Sequence, residues 1–488
     1  MKKKIISVFL AATMVIVSLT GCGGKTPEEN NTTKKLDESE TTEVSVADVS
    51  DVDSTESSVE GVSDVDGTEF SMAGVSDVDG TEISFWHSMG GVNGQAIDTL
   101  VKKFNDENEF GITVNAQYQG EYDDSLNKLK SAQIGNMGAD LVQVYEIGTR
   151  FMIESGWIIP MQNMVDADNY DVSQIESNLS AYYTIDNQLY SMPFNSSTPI
   201  MYYNKDMFEK AGITEIPDSL EAIEKIGDKL ETDGEAGEVM SLGIYGWFFE
   251  QFIGKQGLEY ANNGNGREKT ATEVAFDQND AAKNILTAWQ SLNEKGYAPI
   301  VGKGGDAGLA DFSAGKSAIT LGSTASLKQI LQDVNGKFEV GTAYFPKIKS
   351  DDVGGVSIGG ASLWALNNDD PKKTRATWEF VKFLISAESQ AYWNAQTGYF
   401  PVTTAAHDEA VFKENIAQYP QFQTAIDQLH DSSPEYAGAL LSVFPEARAT
   451  VESEIESMLN GNEDVDTAVM KMAEAINKSI EEYNLVNE

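Results

Sequence analysis

The chain reads as an α/β protein folded in two lobes, on three observations. Its 488 residues exceed what one hydrophobic core usually serves. Between residues 83 and 145, strand-like alternation and helix-like periodicity take turns, the pattern of a parallel sheet covered by helices. The residues before 83 hold almost nothing that a core could use, so the folded region starts abruptly there.

The N-terminus has its own logic. Lys2, Lys3 and Lys4 precede an apolar stretch at 5–17, and Leu19-Thr20-Gly21-Cys22 follows directly. The stretch is too short to span a bilayer and has the flanks of a signal peptide. Residues 1–21 are therefore expected to be a cleaved leader and Cys22 the lipid acceptor, with two acyl chains enough for stable anchoring. As the single cysteine, Cys22 also excludes an intrachain disulfide and a Cys-rich metal site.

From Lys25 to Glu82 there are 17 acidic and 3 basic residues, with Phe70 the sole aromatic. Residues 22–82 are expected to form a lipidated, self-repelling disordered spacer. Within it the octets at 49–56, 62–69 and 75–82 read VSDVDSTE, VSDVDGTE and VSDVDGTE, a repeat of period 13. Their Asp-Val-Asp lacks the third acidic position and terminal Glu of an EF-hand loop, so calcium is not implied.

The folded region then proceeds element by element. Ile83-Ser84-Phe85-Trp86 alternates like a strand, and Ile97, Leu100, Val101 and Phe104 fall at helical spacing, predicting a helix over 94–108. Residues 112–118 return to strand character. Tyr122, Leu126 and Leu129 mark a second helix, and 140–145 a third strand. Near the end, 446–460 and 465–483 read as two closing helices, Pro445 suiting the first turn of the former.

Composition excludes several functions. A formal charge of -43 argues against nucleic acid or anionic lipid as partner, and any anionic ligand must be held by local charge. The three histidines, His87, His407 and His430, show no HExxH spacing, and there is no GxSxG elbow or P-loop, so neither catalyst nor metal nor cofactor is implied. His87, beside Trp86, suits a satisfied residue near a strand end.

Five segments make the chain resemble a known family. Trp86-His87-Ser88-Met89-Gly90, Gln143-Val144-Tyr145-Glu146-Ile147-Gly148, Pro193-Phe194-Asn195-Ser196-Ser197-Thr198-Pro199, Gly359-Gly360-Ala361-Ser362-Leu363-Trp364 and Thr397-Gly398-Tyr399 resemble, in order, the glycerol-3-phosphate-binding proteins of bacterial ABC importers. These belong to the family 1 extracellular solute-binding proteins, which include the maltose binders. The resemblance implies a type II periplasmic-binding-protein fold. Its hinge would be crossed several times, near 195–199 and 345–355, with ligand trapped between lobes. Residues 83–195 and 355–400 would make lobe I, and 196–354 and 401–488 lobe II.

The resemblance also points to Tyr122, Glu146, Ser197, Ser323, Gly360, Tyr399 and Arg448 as ligand contacts. Arg448 offers a donor fork to phosphate, aided by a place in a helix's first turn. Without the resemblance it reads as a surface residue paired with Glu446 or Glu452. The serines and tyrosines can donate hydroxyl protons, although alone they read as turn caps and half-buried strand residues. Gly360 lets a backbone N–H approach closely. Glu146, acceptor-only, suits the glycerol hydroxyls and would repel phosphate. Trp247 is expected either under the glycerol carbons or in the core, and Thr324 is a fallback for Ser323.

The function implied is capture of sn-glycerol-3-phosphate, or of a glycerophosphodiester such as glycerophosphocholine, and delivery to the permease. The protein would be a lipid-anchored monomer on the outer face of the cell membrane, the long spacer suggesting a Gram-positive-type surface. An oligosaccharide binder of the same family is the alternative. An adhesion or sensory lipoprotein is a third reading.

Overall fold

The computed structural model describes residues 70–135 and 138–487; the leader 1–21, Cys22 and the first two acidic octets lie outside the described residues. The strands in chain order are β1 (Glu82–His87), β2 (Thr113–Tyr118), β3 (Leu141–Tyr145), β4 (Ile158–Ile159), β5 (Thr184–Ile185), β6 (Gln188–Leu189), β7 (Met192–Ser197), β8 (Pro199–Asn204), β9 (Glu238–Ser241), β10 (Ser317–Ser323), β11 (Val340–Tyr344) and β12 (Gly359–Leu366).

Local pattern explains the first lobe. In β1 Ile83, Phe85 and His87 are buried while Ser84 and Trp86 are half-buried, the two-residue period of a pleated strand. The helix Gly91–Glu107 buries Ala96, Ile97, Leu100, Val101 and Phe104, one stripe at helical period. β1 lies parallel to β2 on one side and to β3 on the other. Antiparallel β12 follows β3, and β4 and β7 both pair along its far edge. The second lobe is built on the sheet β11-β8-β10-β9, with β8 antiparallel to both neighbours and β10 parallel to β9.

The chain passes between the two sheets at Thr198, which separates β7 from β8. It returns between β11 and β12. It crosses once more after the helix Ala410–Gln418, which packs on the helix Ala387–Thr397, for the following helix Phe422–Asp431 packs on β11. The first-lobe core gathers Phe85, Phe104, Phe380 and Trp393, and the second-lobe core Phe252, Phe276, Trp289 and Ile319. Burying such a side chain contributes about 1.5–3 kcal/mol. The helices Phe444–Leu459 and Val465–Asn487 pack on each other, the former also against the helix Gly246–Lys255. Among the described residues no helix is long and apolar enough to cross a membrane.

Three expectations are corrected. The acidic stretch is not spacer up to residue 82: Val78 of the third octet is 0% exposed in the first-lobe core, Phe70 and Met72 pack on it, and the Ala73 N–H donates to the Pro371 carbonyl at 3.0 Å. One valine and one aromatic at the right spacing suffice to dock a segment whose composition is otherwise solvating. Residues 196–197 and 401–418 belong with lobe I, because Ser196 and Ser197 pair with β12 in the first sheet and Val402, Ala406 and Phe412 enter its core. The helix expected from 446 starts at Phe444, so Arg448 is its fifth residue and lies beyond the first turn, where a helix's local field has largely faded.

Candidate functional site

Tyr122, Glu146, Ser197, Trp247, Ser323, Gly360, Tyr399 and Arg448, scattered over more than half the chain, all line one cavity of about 290 Å³ between the two sheets. The first lobe contributes Tyr122, Glu146, Ser197, Gly360 and Tyr399. The second contributes Trp247, Ser323 and Arg448. They meet because strand ends and helix starts converge at the crossings: Ser197 ends β7, Ser323 ends β10, Glu146 follows β3, and Tyr122 opens the helix Tyr122–Ile134.

The first-lobe wall is held by a hydrogen-bond relay. The Ser88 N–H donates to Gln143 Oε1 at 2.8 Å, Gln143 Nε2 to Asn195 Oδ1 at 2.7 Å, and Asn195 Nδ2 to the Tyr122 hydroxyl oxygen at 2.8 Å. Since that oxygen is accepting, its own proton is left to donate. Burial, and next the neighbouring Tyr399 phenol, raise the Tyr122 pKa well above its usual value, so it is a neutral donor. Tyr122 stacks on Tyr145 at 5.3 Å and Tyr399 on Trp393 at 5.8 Å, which fixes both rings.

Gly360 has a stricter reason than ligand access. Its φ is +88°, and a Cβ there would lie 2.0 Å from the Asn195 carbonyl oxygen. Only glycine lets β12 pass β7 at this point, beside the register shift that follows Ala361. Trp247 is 4% exposed and packs near Tyr245 and Phe248 while also lining the cavity, and its Nε1–H has no hydrogen-bond partner among the described residues. Ser323 does cap a turn, accepting from the Ala325 N–H at 3.2 Å, which leaves its proton available to the cavity it lines. The fallback Thr324 does not line that cavity; it ties the first crossing, accepting from the Thr198 N–H at 3.3 Å.

Arg448 departs most from expectation. It is 8% exposed, and its partners are neither Glu446 nor Glu452. Its Nε and Nη2 reach Glu250 Oε1 and Oε2, both at 2.8 Å, and Nη2 also reaches Glu146 Oε1 at 2.9 Å. Glu452 instead accepts from the Gly246 N–H at 2.9 Å. The expected separation of an anion end at Arg448 from a hydroxyl end at Glu146 therefore fails, because these groups are in contact. Burial raises the pKa of both glutamates, opposed by the Arg448 charge, while the two carboxylates hold the guanidinium firmly charged against its own burial. Three of its five donors are used. Among the described residues, the two on Nη1 have no hydrogen-bond partner, and Arg448 faces the cavity.

Glu250 was missed by sequence reasoning. Its signal was present: it is the sole acid in the helix Gly246–Lys255 and sits three residues after Trp247, on the same face. Gly246 gives the site its closeness, since a Cβ there would lie 2.3 Å from Arg448 Cγ. Tyr245, also missed, places its ring 5.7 Å from the guanidinium. His87 lies outside this cavity's lining and is buried; burial pushes its pKa down to about 4, and its Nδ1 accepts from the Met89 N–H at 3.3 Å. Among the described residues no group of three or more His, Cys, Asp or Glu could hold a metal ion.

Two α/β lobes joined by repeated crossings, with a polar cleft where they meet, define a type II periplasmic binding protein. Residues 99–424 match the model of the bacterial extracellular solute-binding proteins, and the chain belongs to that family. It is 33% identical over 401 residues to the sn-glycerol-3-phosphate-binding periplasmic protein UgpB of Escherichia coli (strain K12), a match covering 79% of this chain and 90% of that one. It is 34% identical over 402 residues to UgpB of Salmonella typhimurium, with the same coverage. Among solved structures, UgpB from Mycobacterium tuberculosis in complex with glycerophosphocholine superposes with a TM-score of 0.70 at 22% identity, covering 83% of this chain and 99% of that one. The cyclic alpha-maltosyl-1,6-maltose binding protein from Arthrobacter globiformis superposes with a TM-score of 0.67 at 20% identity, covering 82% and 99%. The chain is thus the extracellular or periplasmic solute-binding component of an ABC importer, which takes a small molecule to the permease, and not an enzyme.

Proposed function

We propose that the cleft captures sn-glycerol-3-phosphate or a glycerophosphodiester by lobe closure and delivers it to the permease. One observation carries the reading: Arg448 keeps two N–H donors on Nη1, pre-aimed because Glu250 and Glu146 pin the rest of its fork. A phosphate oxygen accepting there gains a charge-assisted bond at little ordering cost. The hydroxyls of Ser197 and Ser323 and the phenols of Tyr122 and Tyr399 supply neutral donors, and the second Glu146 oxygen can accept from a glycerol hydroxyl. The relatives named for glycerol-3-phosphate binding support the same substrate class.

The acidic surface does not prevent this. At physiological salt the screening length is about 8 Å, so the cleft groups decide. A cavity of about 290 Å³ also suits a small solute better than an oligosaccharide, which needs an elongated groove. The protein works as a lipid-anchored monomer held through Cys22 on the outer face of a Gram-positive-type membrane. Calorimetry with glycerol-3-phosphate, glycerophosphocholine, inorganic phosphate and maltose tests the substrate. Tight binding of maltose with neither ester bound transfers the reading to an oligosaccharide binder.

A further inference from the structure

Where the lobes join, one side chain holds three separate stretches of chain. Gln428 lies on the helix Phe422–Asp431, which follows the third crossing, and is 1% exposed. Its Nε2 donates to the Pro199 carbonyl at 2.6 Å, one residue past the first crossing at Thr198. Its Oε1 accepts from the Phe345 N–H at 2.6 Å, where the chain leaves β11 for the second crossing. The register that pairs Tyr344 with Ile200 would set Phe345 opposite Pro199. The carboxamide therefore stands in for the next rung of that ladder, serving the donor of one strand and the acceptor of the other. Both buried groups stay paired at the point where β11 and β8 part into their crossings.

The helix that carries Gln428 is itself wedged in the seam. Ile426 and Leu429 enter the first-lobe core, whereas Phe422 packs with Ile200 and Tyr202 of β8. Its C-terminal end is tied to both sides. Asn178 Nδ2, on the first-lobe helix Ser177–Tyr183, donates to the Leu429 and Ser432 carbonyls at 2.5 and 2.9 Å. Ser432 Oγ accepts from the N–H of Val356, further along the second crossing, at 3.3 Å and donates to the Gln428 carbonyl at 2.9 Å.

We propose that Gln428 is the positioning residue that makes the three crossings bend as one hinge, so that the lobes close along a single path. This role holds whatever solute the cleft takes. A buried N–H or C=O without a partner is costly, so Phe345 and Pro199 stay bound to Gln428. The second-lobe roots of the crossings then cannot slide past one another. The residue type suits the task. A carboxamide offers a donor and an acceptor side by side without charge, as a peptide group does. Asparagine carries the same group on a shorter stem, so it can serve one strand and not both.

The test is residue-resolved hydrogen exchange and small-angle X-ray scattering on the unliganded full-length protein. Two variants are compared with the wild type: Gln428→Met, similar in length and without the amide, and Gln428→Asn. Both should speed exchange of the Phe345 and Val356 amides about tenfold or more, while Ile319 in β10 and Leu363 in β12 keep wild-type rates. The radius of gyration should rise, because the lobes then open along more than one path. A general loss of stability would raise all four rates together and overturn the proposal. Unchanged Val356 exchange with unchanged scattering also overturns it, since Phe345 alone would have been freed. Failure of both variants to fold makes Gln428 a core requirement and overturns it too. In a last arm, both variants should release glycerol-3-phosphate about tenfold faster than the wild type at a similar association rate. Equal release rates overturn the proposal. A wild type that binds no glycerol-3-phosphate overturns the cleft reading alone, and exchange and scattering still decide this one.

Discussion

Arg448 Nη2 lies 2.9 Å from Glu146 Oε1 across 302 residues of sequence and across the two lobes. Glu146 stands on the first lobe, after β3, while Arg448 and its second partner Glu250 stand on helices of the second. One ion pair therefore lines the cleft and joins the two lobes at once. Removing either end should change ligand binding and the joining of the lobes together.

Arg448→Ala should weaken binding of glycerol-3-phosphate by about 10- to 1,000-fold, since one or two charge-assisted bonds of roughly 1.5–3 kcal/mol are lost. It also leaves Glu146 and Glu250 buried without their cation. Calorimetry and thermal melting should therefore both show the loss. Wild-type affinity for phosphate esters in this variant would put the anion site elsewhere.

Glu250→Gln should change how stability depends on pH. Burial raises the Glu250 pKa in the folded state, so ionising it penalises the fold at pH values above the raised pKa. The penalty is absent below the ordinary glutamate value and grows as pH rises from there through the raised one. Glutamine has no such term. The melting temperature of the wild type minus that of the variant should increase as pH falls from neutral into that window. A constant difference would show that Arg448 fully offsets the burial.

Gly360→Ala should lower stability by at least about 1–3 kcal/mol, combining a positive φ with a Cβ 2.0 Å from the Asn195 carbonyl. Because Asn195 donates to Tyr122, ligand affinity should fall with it. An unchanged melting temperature would mean that β12 and β7 can separate here without cost.

A chain beginning at Glu82 should melt below one beginning at Phe70. The shorter form loses the buried Val78, worth about 1.5–3 kcal/mol by area, and the hydrogen bond from the Ala73 N–H to Pro371. Equal melting curves would show the third acidic octet to be dispensable.

Cys22→Ala should abolish lipid attachment and leave an unlipidated precursor. Palmitate labelling of cells expressing the variant checks this, and label retained on the protein would place the anchor at another residue.

Much of the first lobe was legible because its signals are local. The periods of two and of 3.6 residues between Ile83 and Tyr145 place β1, β2, β3 and the intervening helices to within a few residues. The end of the spacer was misjudged for the same reason. Composition averaged over many residues hides Val78, whose burial depends on a pocket formed by distant chain.

By itself, the sequence determined the α/β class, the motif strings that mark the family, and the set of residue types able to face a polar solute. Those properties reside in short segments and need no partner to be read. Only the tertiary structure decided that Arg448 is clamped by Glu250 and Glu146 and that Ser323 rather than Thr324 faces the cleft. It also decided that Gly360 is required by the Asn195 carbonyl. The first depends on which side chains the two lobes bring within about 3 Å of one another, and the others on how separate strands and turns meet inside one lobe. Charge pairing at that range is set by the path of the backbone through its crossings, which no spacing along the chain encodes.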